Sequence, residues 1–128
     1  MRGANVIYEL IMISHGIQKR THRLHRRDDF TVLFTRGTRI DNPLFRVVVK
    51  KNPYGFSRYA FISPRAVDKR AVIRNRLRRR AREWFRKNMS LHRAGLDIAV
   101  VFKKNASDVR RNVLYEELKK ITDRIIDL

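Results

Sequence analysis

The sequence predicts an α/β (α+β) two-layer sandwich, a small mixed sheet packed by helices, and three observations predict it. Apolar residues recur at helical spacing in three stretches, extended β-branched and aromatic runs lie between them, and 128 residues suffice for one core. The expected order is α-β-β-(β)-α-β-α, the bracket marking an additional strand before the second helix. Hydrophobic residues make up 43% of the chain and aromatics 9%, with only three Pro and five Gly, a composition that a disordered basic tail does not have.

The first helix is expected over Arg27 to Arg36, where Phe30, Leu33 and Phe34 share a face and Gly37 follows as a stop signal. Leu44 to Lys51 and Tyr59 to Ser63 read as extended runs, and the turn Asn52-Pro53-Tyr54-Gly55 between them predicts a hairpin. From Lys69 to Met89 the residues Ile73, Leu77, Ala81, Trp84 and Phe85 form one stripe of a long amphipathic helix. Gly95 marks a break. After it Leu96, Ile98, Val100 and Phe102 alternate, and Ala99 and Val101 make the other side apolar too, which predicts a central strand covered on both faces. Leu114, Leu118, Ile121 and Ile125 give a closing helix, with Ser107 or Asn112 as its candidate cap.

Charge is distributed unevenly. Lys and Arg number 31 against 12 Asp and Glu, a formal net charge of +19, which favours a polyanionic partner. Lys19 to Arg39 holds seven basic and two acidic residues, and Arg65 to Lys87 eleven and two, whereas Asn105 to Leu128 holds five of each. Such localisation implies a binding face. At 100° per residue from Ile73 the apolar stripe centres near about 50°, while Asn75, Arg79, Arg82 and Arg86 fall between about 180° and 240° and point outward. Arg74 and Arg78 flank one side of the stripe, Arg76 and Arg80 the other. A merely solvated face mixes signs to gain i,i+4 pairs, but here Glu83 stands alone, and arginine favours bidentate phosphate contacts.

Catalytic groups are harder to find. The absence of cysteine excludes a disulfide scaffold, a Cys nucleophile and thiolate metal sites, and slightly favours a reducing cytoplasm. Asp28 and Asp29 are adjacent, so a helix points them apart, and they read as first-turn acids that favour the helix dipole. His22 and His25 lie in a basic run without a third ligand, and His15 and His92 are isolated. No metal or catalytic site is read from these residues, and there is no glycine-rich phosphate loop. The apolar stretch Val6 to Ile13 is interrupted by Glu9 and is far shorter than the roughly 20 residues of a membrane span. With Arg2 as its only charged start and no small-residue cleavage site before Lys19-Arg20, it is no signal peptide either. An unexported, cytoplasmic protein without membrane contact is expected.

The run Ala71-Val72-Ile73-Arg74-Asn75-Arg76-Leu77-Arg78-Arg79-Arg80-Ala81-Arg82-Glu83 closely resembles the Arg-Asn-Arg signature helix of the bacterial ribonuclease P protein subunit. His22-Arg23-Leu24 with Arg27-Asp28-Asp29-Phe30 and Val32-Leu33-Phe34 resembles that family's opening helix. Gly95-Leu96-Asp97-Ile98 is similar to the start of its last strand, and Tyr115-Glu116-Glu117-Leu118 to its closing helix. In order and spacing the resemblance covers about residues 17 to 127. It implies one domain over 17–128 with a left-handed βαβ crossover, and leaves 1–16 as an extension, disordered or preceding a start at Met12.

By the same resemblance the RNA subunit, with its Mg²⁺, hydrolyses the bond that frees the 5′ leader of precursor tRNA. The protein binds ribonuclease P RNA and precursor tRNA, and no protein partner is required. Arg74, Asn75, Arg76, Arg78, Arg79 and Arg82 match the signature helix that approaches the RNA, and Arg70 lies at its start. Phe30 and Phe34 match aromatics of the leader-binding cleft, with plain core packing as the alternative. Aromatic faces stack on bases without sequence preference, so the chemistry fits. Val48 stands where the family has another cleft aromatic, so that contact is absent or is supplied by Phe45. Ser63-Pro64-Arg65 replaces a Ser-Lys-Lys pattern, with Arg65 in the lysine's role. The rival readings are a ribosomal-type or chaperone RNA-binding protein, and a protein-only nuclease.

Overall fold

A computed structural model describes Leu24 and residues 27–127. The opening segment 1–16, Met12, His15, His22 and His25 lie outside the described residues. The elements are α1 (Arg27–Arg36), β1 (Thr38–Asp41), β2 (Phe45–Lys51), β3 (Arg58–Ile62), α2 (Ala71–Arg86), α3 (Met89–Arg93), β4 (Leu96–Phe102) and α4 (Arg111–Ile126), with a 3-10 turn at Lys104–Ala106. This is the mixed α+β pattern expected, with the additional strand and a short extra helix placed.

The four strands form one sheet in the order β1-β2-β4-β3. β1 and β4 run antiparallel to β2, and β3 runs parallel to β4. The hairpin expected between β2 and β3 is therefore absent: β4 lies between them and pairs with both. Lys51, at the end of β2, faces Leu96, and Arg58, at the start of β3, faces Asp97, so the loop 52–57 spans the first residues of β4. The reason lies in β4 itself. Apart from Asp97 it is apolar on both faces, and a strand of that kind gains most at the centre of a sheet. The local hairpin is instead β1–β2, where Asn42 Oδ1 accepts from the amides of Leu44 at 2.8 Å and Phe45 at 2.9 Å.

Helices cover both faces of the sheet. Val47, Val49, Tyr59, Phe61, Ile98 and Val100 face Leu77, Ala81 and Phe85 of α2 and Leu114, Leu118 and Ile121 of α4. Val48, Ala60, Ile62 and Ala99 face Phe30, Leu33 and Phe34 of α1, joined by Leu24. The Leu24 amide donates to Tyr59 O at 3.0 Å, on the outer edge of β3. Gly37 ends α1 because the chain passes too close for a side chain. A Cβ there would lie 2.5 Å from Leu33 O and 2.7 Å from a Val48 methyl.

Two helix boundaries differ from expectation. The long helix stops at Arg86 rather than reaching Met89, because Asn88 caps α3 by accepting from the Leu91 amide at 3.1 Å. The closing helix takes neither Ser107 nor Asn112 as its cap. Arg110 occupies that position without a side-chain bond, Ser107 closes the 3-10 turn, and Asn112 already lies inside the helix. Trp84 Nε1 donates to Thr122 Oγ1 at 3.3 Å and its ring lies 5.5 Å from that of Tyr115, fixing α2 against α4.

Candidate nucleic-acid interface

The helix α2 turns the stripe of Ile73, Leu77, Ala81 and Phe85 inward, so its many arginines must distribute over what remains. Asn75, Arg79 and Arg86 are exposed, and Arg74, Arg76, Arg80 and Arg82 are half-buried. Arg78 is only 8% exposed, so it belongs to the seam's flank rather than to an open cationic surface. It sits about 20° around the helix from Phe85, and its guanidinium lies back against the protein, donating to Asn75 Oδ1. Arg82 also departs from the outward position given by its helical angle. It is half-buried, and its Nε is shut off without an acceptor in the protein.

Burial and, after it, like-charge crowding weigh on the arginines of this helix. Burial lowers the basicity of Arg78, and repulsion from Arg74 and Arg82 lowers it further. Burial likewise depresses Arg80, with Arg76 and Arg111 adding to the effect, and burial depresses Arg82. Arg78 Nη1, Arg80 Nε and Arg82 Nε have no hydrogen-bond partner within the protein. Glu83, the one acid of the helix, is engaged by Arg86 at 2.6 Å and Lys87 at 3.6 Å.

At the start of α2 the loop is organised around Asp68. Arg70 donates to it through Nε at 3.1 Å and Nη2 at 3.0 Å, and Arg74 Nη1 donates to the carbonyls of Asp68 and Lys69, each at 2.9 Å. The Arg70 guanidinium holds the Asp68 carboxyl down to about 2. Arg65 is exposed in the same β3–α2 loop, whereas Ser63 is buried. The sequence reading passed over Arg80 and Arg111 as site residues. Repulsion couples them, so the start of α4 adds to the cationic surface although the segment from Asn105 onward is neutral. The signal was the pair Arg110-Arg111 at the head of that segment.

The two aromatics expected in a cleft lie under α1. Phe30 is 0% exposed and Phe34 is 8% exposed, with ring centroids 6.4 Å apart and planes 21° from parallel. Val48 lies on the same sheet face, fully buried. Phe45 cannot supply the missing aromatic there. Three residues from Val48, it points to the opposite face, where it meets Phe102 edge-on at 6.1 Å.

Between α1 and the sheet stands a buried ion cluster that the sequence reading also passed over. Arg58 donates to Asp97 and, through Nη1 at 3.1 Å, to Asp29 of α1. Burial works against the Arg58 charge, but its bonds to Asp97 and Asp29 outweigh that and raise its pKa. Asp29 is thus more than a first-turn acid. Among the described residues no group of three or more His, Asp or Glu could hold a metal ion, and no helix is long and apolar enough to cross a membrane.

A family model described as Ribonuclease P matches residues 18–126. The ribonuclease P protein component of Thermotoga petrophila is 36% identical over 110 residues, covering 83% of this chain and 93% of that protein. The corresponding protein of Syntrophus aciditrophicus is 30% identical over 100 residues, covering 78% and 83%. Among solved structures, the RNase P protein of Thermotoga maritima aligns with a TM-score of 0.71 at 33% identity, covering 80% of this chain and 96% of that one. The RNase P protein of Staphylococcus aureus aligns with a TM-score of 0.74, covering 81% and 94%, and at 23% identity supports the fold alone.

Proposed function

The chain belongs to the ribonuclease P protein component family, whose complex is an endoribonuclease of tRNA 5′ processing, and from that premise we propose that it binds the catalytic RNA and the 5′ leader of precursor tRNA. The arginine face of α2, extended by Arg65, Arg70 and Arg111, is the surface for the catalytic RNA. The margin of α1, where Phe34 alone of its aromatics is not wholly enclosed, receives the leader. The protein acts in the cytoplasm.

One observation carries this reading: α2 sets arginines side by side around its apolar stripe with a single carboxylate in the helix to offset them, so that burial first, and repulsion between neighbours after it, lowers the basicity of Arg78 and Arg80. Such an arrangement is unfavourable in the free protein and is relieved by an external polyanion. Phosphates meet guanidinium forks with charge-assisted bonds, and each contact displaces a counterion.

Hydrolysis falls to the RNA subunit. Mg²⁺ would be held there, because among the described residues no cluster of acids gathers to fit it, and the acids nearest the site are taken: Asp29 and Asp97 by Arg58, and Asp68 by Arg70. What the protein side chains do is hold phosphate backbone and single strand in place.

The test starts from protein freed of nucleic acid by nuclease digestion and repurified. Incubated with precursor tRNA and Mg²⁺, it should leave the substrate intact, and addition of ribonuclease P RNA should yield the mature 5′ end. Cleavage by the RNA-free protein would replace this reading with a protein-only nuclease. Ribosomal RNA as the species that co-purifies from the host at moderate salt would replace it with a ribosomal-type protein.

A further inference from the structure

The loop 52–57 holds the one large aromatic side chain that is more than half exposed among the described residues, Tyr54, at 52%. Everything around it is braced. Asn52 Oδ1 accepts from the Tyr54 amide at 2.9 Å, and Asn52 Nδ2 donates to Phe56 O at 3.1 Å and to Asp97 Oδ1 at 2.9 Å. The Asn52 amide donates to Gly95 O at 2.9 Å, and Gly55, at φ +78°, makes the turn that a side chain would strain. With the loop secured by these backbone and Asn52 contacts, the Tyr54 ring is not needed to hold it.

The ring nevertheless has a built underside. The Arg58 guanidinium carbon lies 4.5 Å from the centre of the Tyr54 ring, and Asp29 and Asp97 prevent that cation from swinging away. Tyr54 is followed by Phe56 at 6.1 Å, and Phe56 by His92 at 6.5 Å with planes 29° apart. His92 belongs to α3, which begins two residues after Lys87 at the end of α2. The cationic helix, about 24 Å long, therefore leads through exposed Arg86 and Lys87 to a run of aromatic rings. Exposed Lys51 and Arg93 stand beside that run in sequence, and the two nearby carboxylates are already engaged.

We infer that Tyr54 and Phe56 form a stacking platform for an unpaired base of the RNA that lies along α2. This rests on the proposed role of α2 as the face for the catalytic RNA. The cations that frame the rings favour an anionic occupant, and a nucleotide offers both a base with a π-face above the rings and a phosphate to either side. Continuity with α2 through His92 favours the catalytic RNA over the leader, which would lie against α1. The open face of Tyr54 takes the base, and the fixed cation beneath polarises the ring toward it.

The experiment compares wild type, Tyr54→Ala and Tyr54→Trp in binding to ribonuclease P RNA transcribed in vitro, over a series of salt concentrations, and in binding of leader-bearing precursor tRNA by the reconstituted complex. Melting curves establish that each variant is folded. Tyr54→Ala should lose about five- to hundred-fold in affinity, the value of one stacked base, with the slope of affinity against salt unchanged because no charge is removed. Tyr54→Trp should bind like wild type. A folded Tyr54→Ala protein with wild-type RNA affinity overturns the inference. So does a loss confined to leader-bearing precursor, which would make the leader the occupant. Arg79→Ala in the same assay separates the two levels: if wild type and Arg79→Ala bind this RNA equally, the role of α2 fails, and the platform fails with it.

Discussion

Arg58 and Asp97 form a bidentate pair inside the protein, Nε to Oδ1 at 2.8 Å and Nη2 to Oδ2 at 2.7 Å, across the parallel strands β3 and β4. Both side chains are close to nine-tenths buried. Asp29 reaches the same guanidinium from α1, so one arginine joins the β3–β4 pair of the sheet to the helix above it. Removing one member of a buried pair leaves the other charge uncompensated, which costs about 3–5 kcal/mol. Asp97→Ala should therefore destabilise the fold by that order in urea unfolding, and a loss below about 1 kcal/mol would show that the cluster does not hold the layers together.

Salt should reveal how many phosphates the arginine face meets. For about six to ten contacts, affinity for RNA should fall by roughly 10³ to 10⁵ between 50 and 200 mM salt. Arg79→Ala should flatten that dependence by about one contact. Arg79 is exposed, so the unfolding free energy of Arg79→Ala should stay within about 0.5 kcal/mol of wild type. Arg78→Ala provides the contrast, because its guanidinium is buried, and its effect should register in stability as well as in binding. Filter binding and urea unfolding of both variants check this.

Phe30 and Phe34 should behave differently although they stack on each other. Phe30 is wholly enclosed, so Phe30→Ala should cost about 3–5 kcal/mol of stability and reduce all activities together. Phe34 keeps an exposed edge, and in the reconstituted complex Phe34→Ala should lose affinity for long-leader substrate relative to leaderless tRNA by roughly 1 to 3 kcal/mol. Equal losses on both substrates, with a lowered melting temperature, would assign Phe34 to the core alone.

Asp68 partly neutralises the start of the binding helix through Arg70. Its pKa is depressed in the folded protein to about 2, so its contribution to the loop is fully present above the ordinary carboxylate range and is lost as pH falls toward that value. NMR titration should follow this, with Arg70→Ala returning the carboxyl toward its usual range. Asp68→Asn keeps an acceptor for the Arg70 amide while freeing the guanidinium. RNA affinity should rise and its salt dependence should steepen, by up to about one phosphate contact.

The helices and strands were legible in the sequence because each has a strong period. α1 ends at Arg36 beside Gly37 as its pattern implies, and β4 is central because Ala99 and Val101 make its second face apolar. The pairing of β2 with β4 was not legible, because a turn motif such as Asn52-Pro53-Tyr54-Gly55 fixes a local reversal and says nothing of what inserts beside it. In the candidate site, the arginine identities were readable but not their exposure. Arg78 and Arg79 differ by one position, yet one lies beside Phe85 and the other in solvent. Asp29, Arg58 and Asp97 are far apart in the chain, and no spacing rule could have joined them.

The insertion of β4 also sets a schedule for folding. Until residue 102 has been synthesised, β1 and β2 can form their hairpin, but β3 has no partner strand, and its four apolar-facing residues, Tyr59 to Ile62, wait through the whole of α2 and α3. Sequence-distant pairings of this kind are slow to form, and they leave strand edges open meanwhile. The arginine helix, built from local contacts, is complete before the sheet that will support it. A nascent chain thus presents its polycationic segment while its core is still unfinished, so contact with RNA during synthesis becomes a matter of timing as well as of affinity.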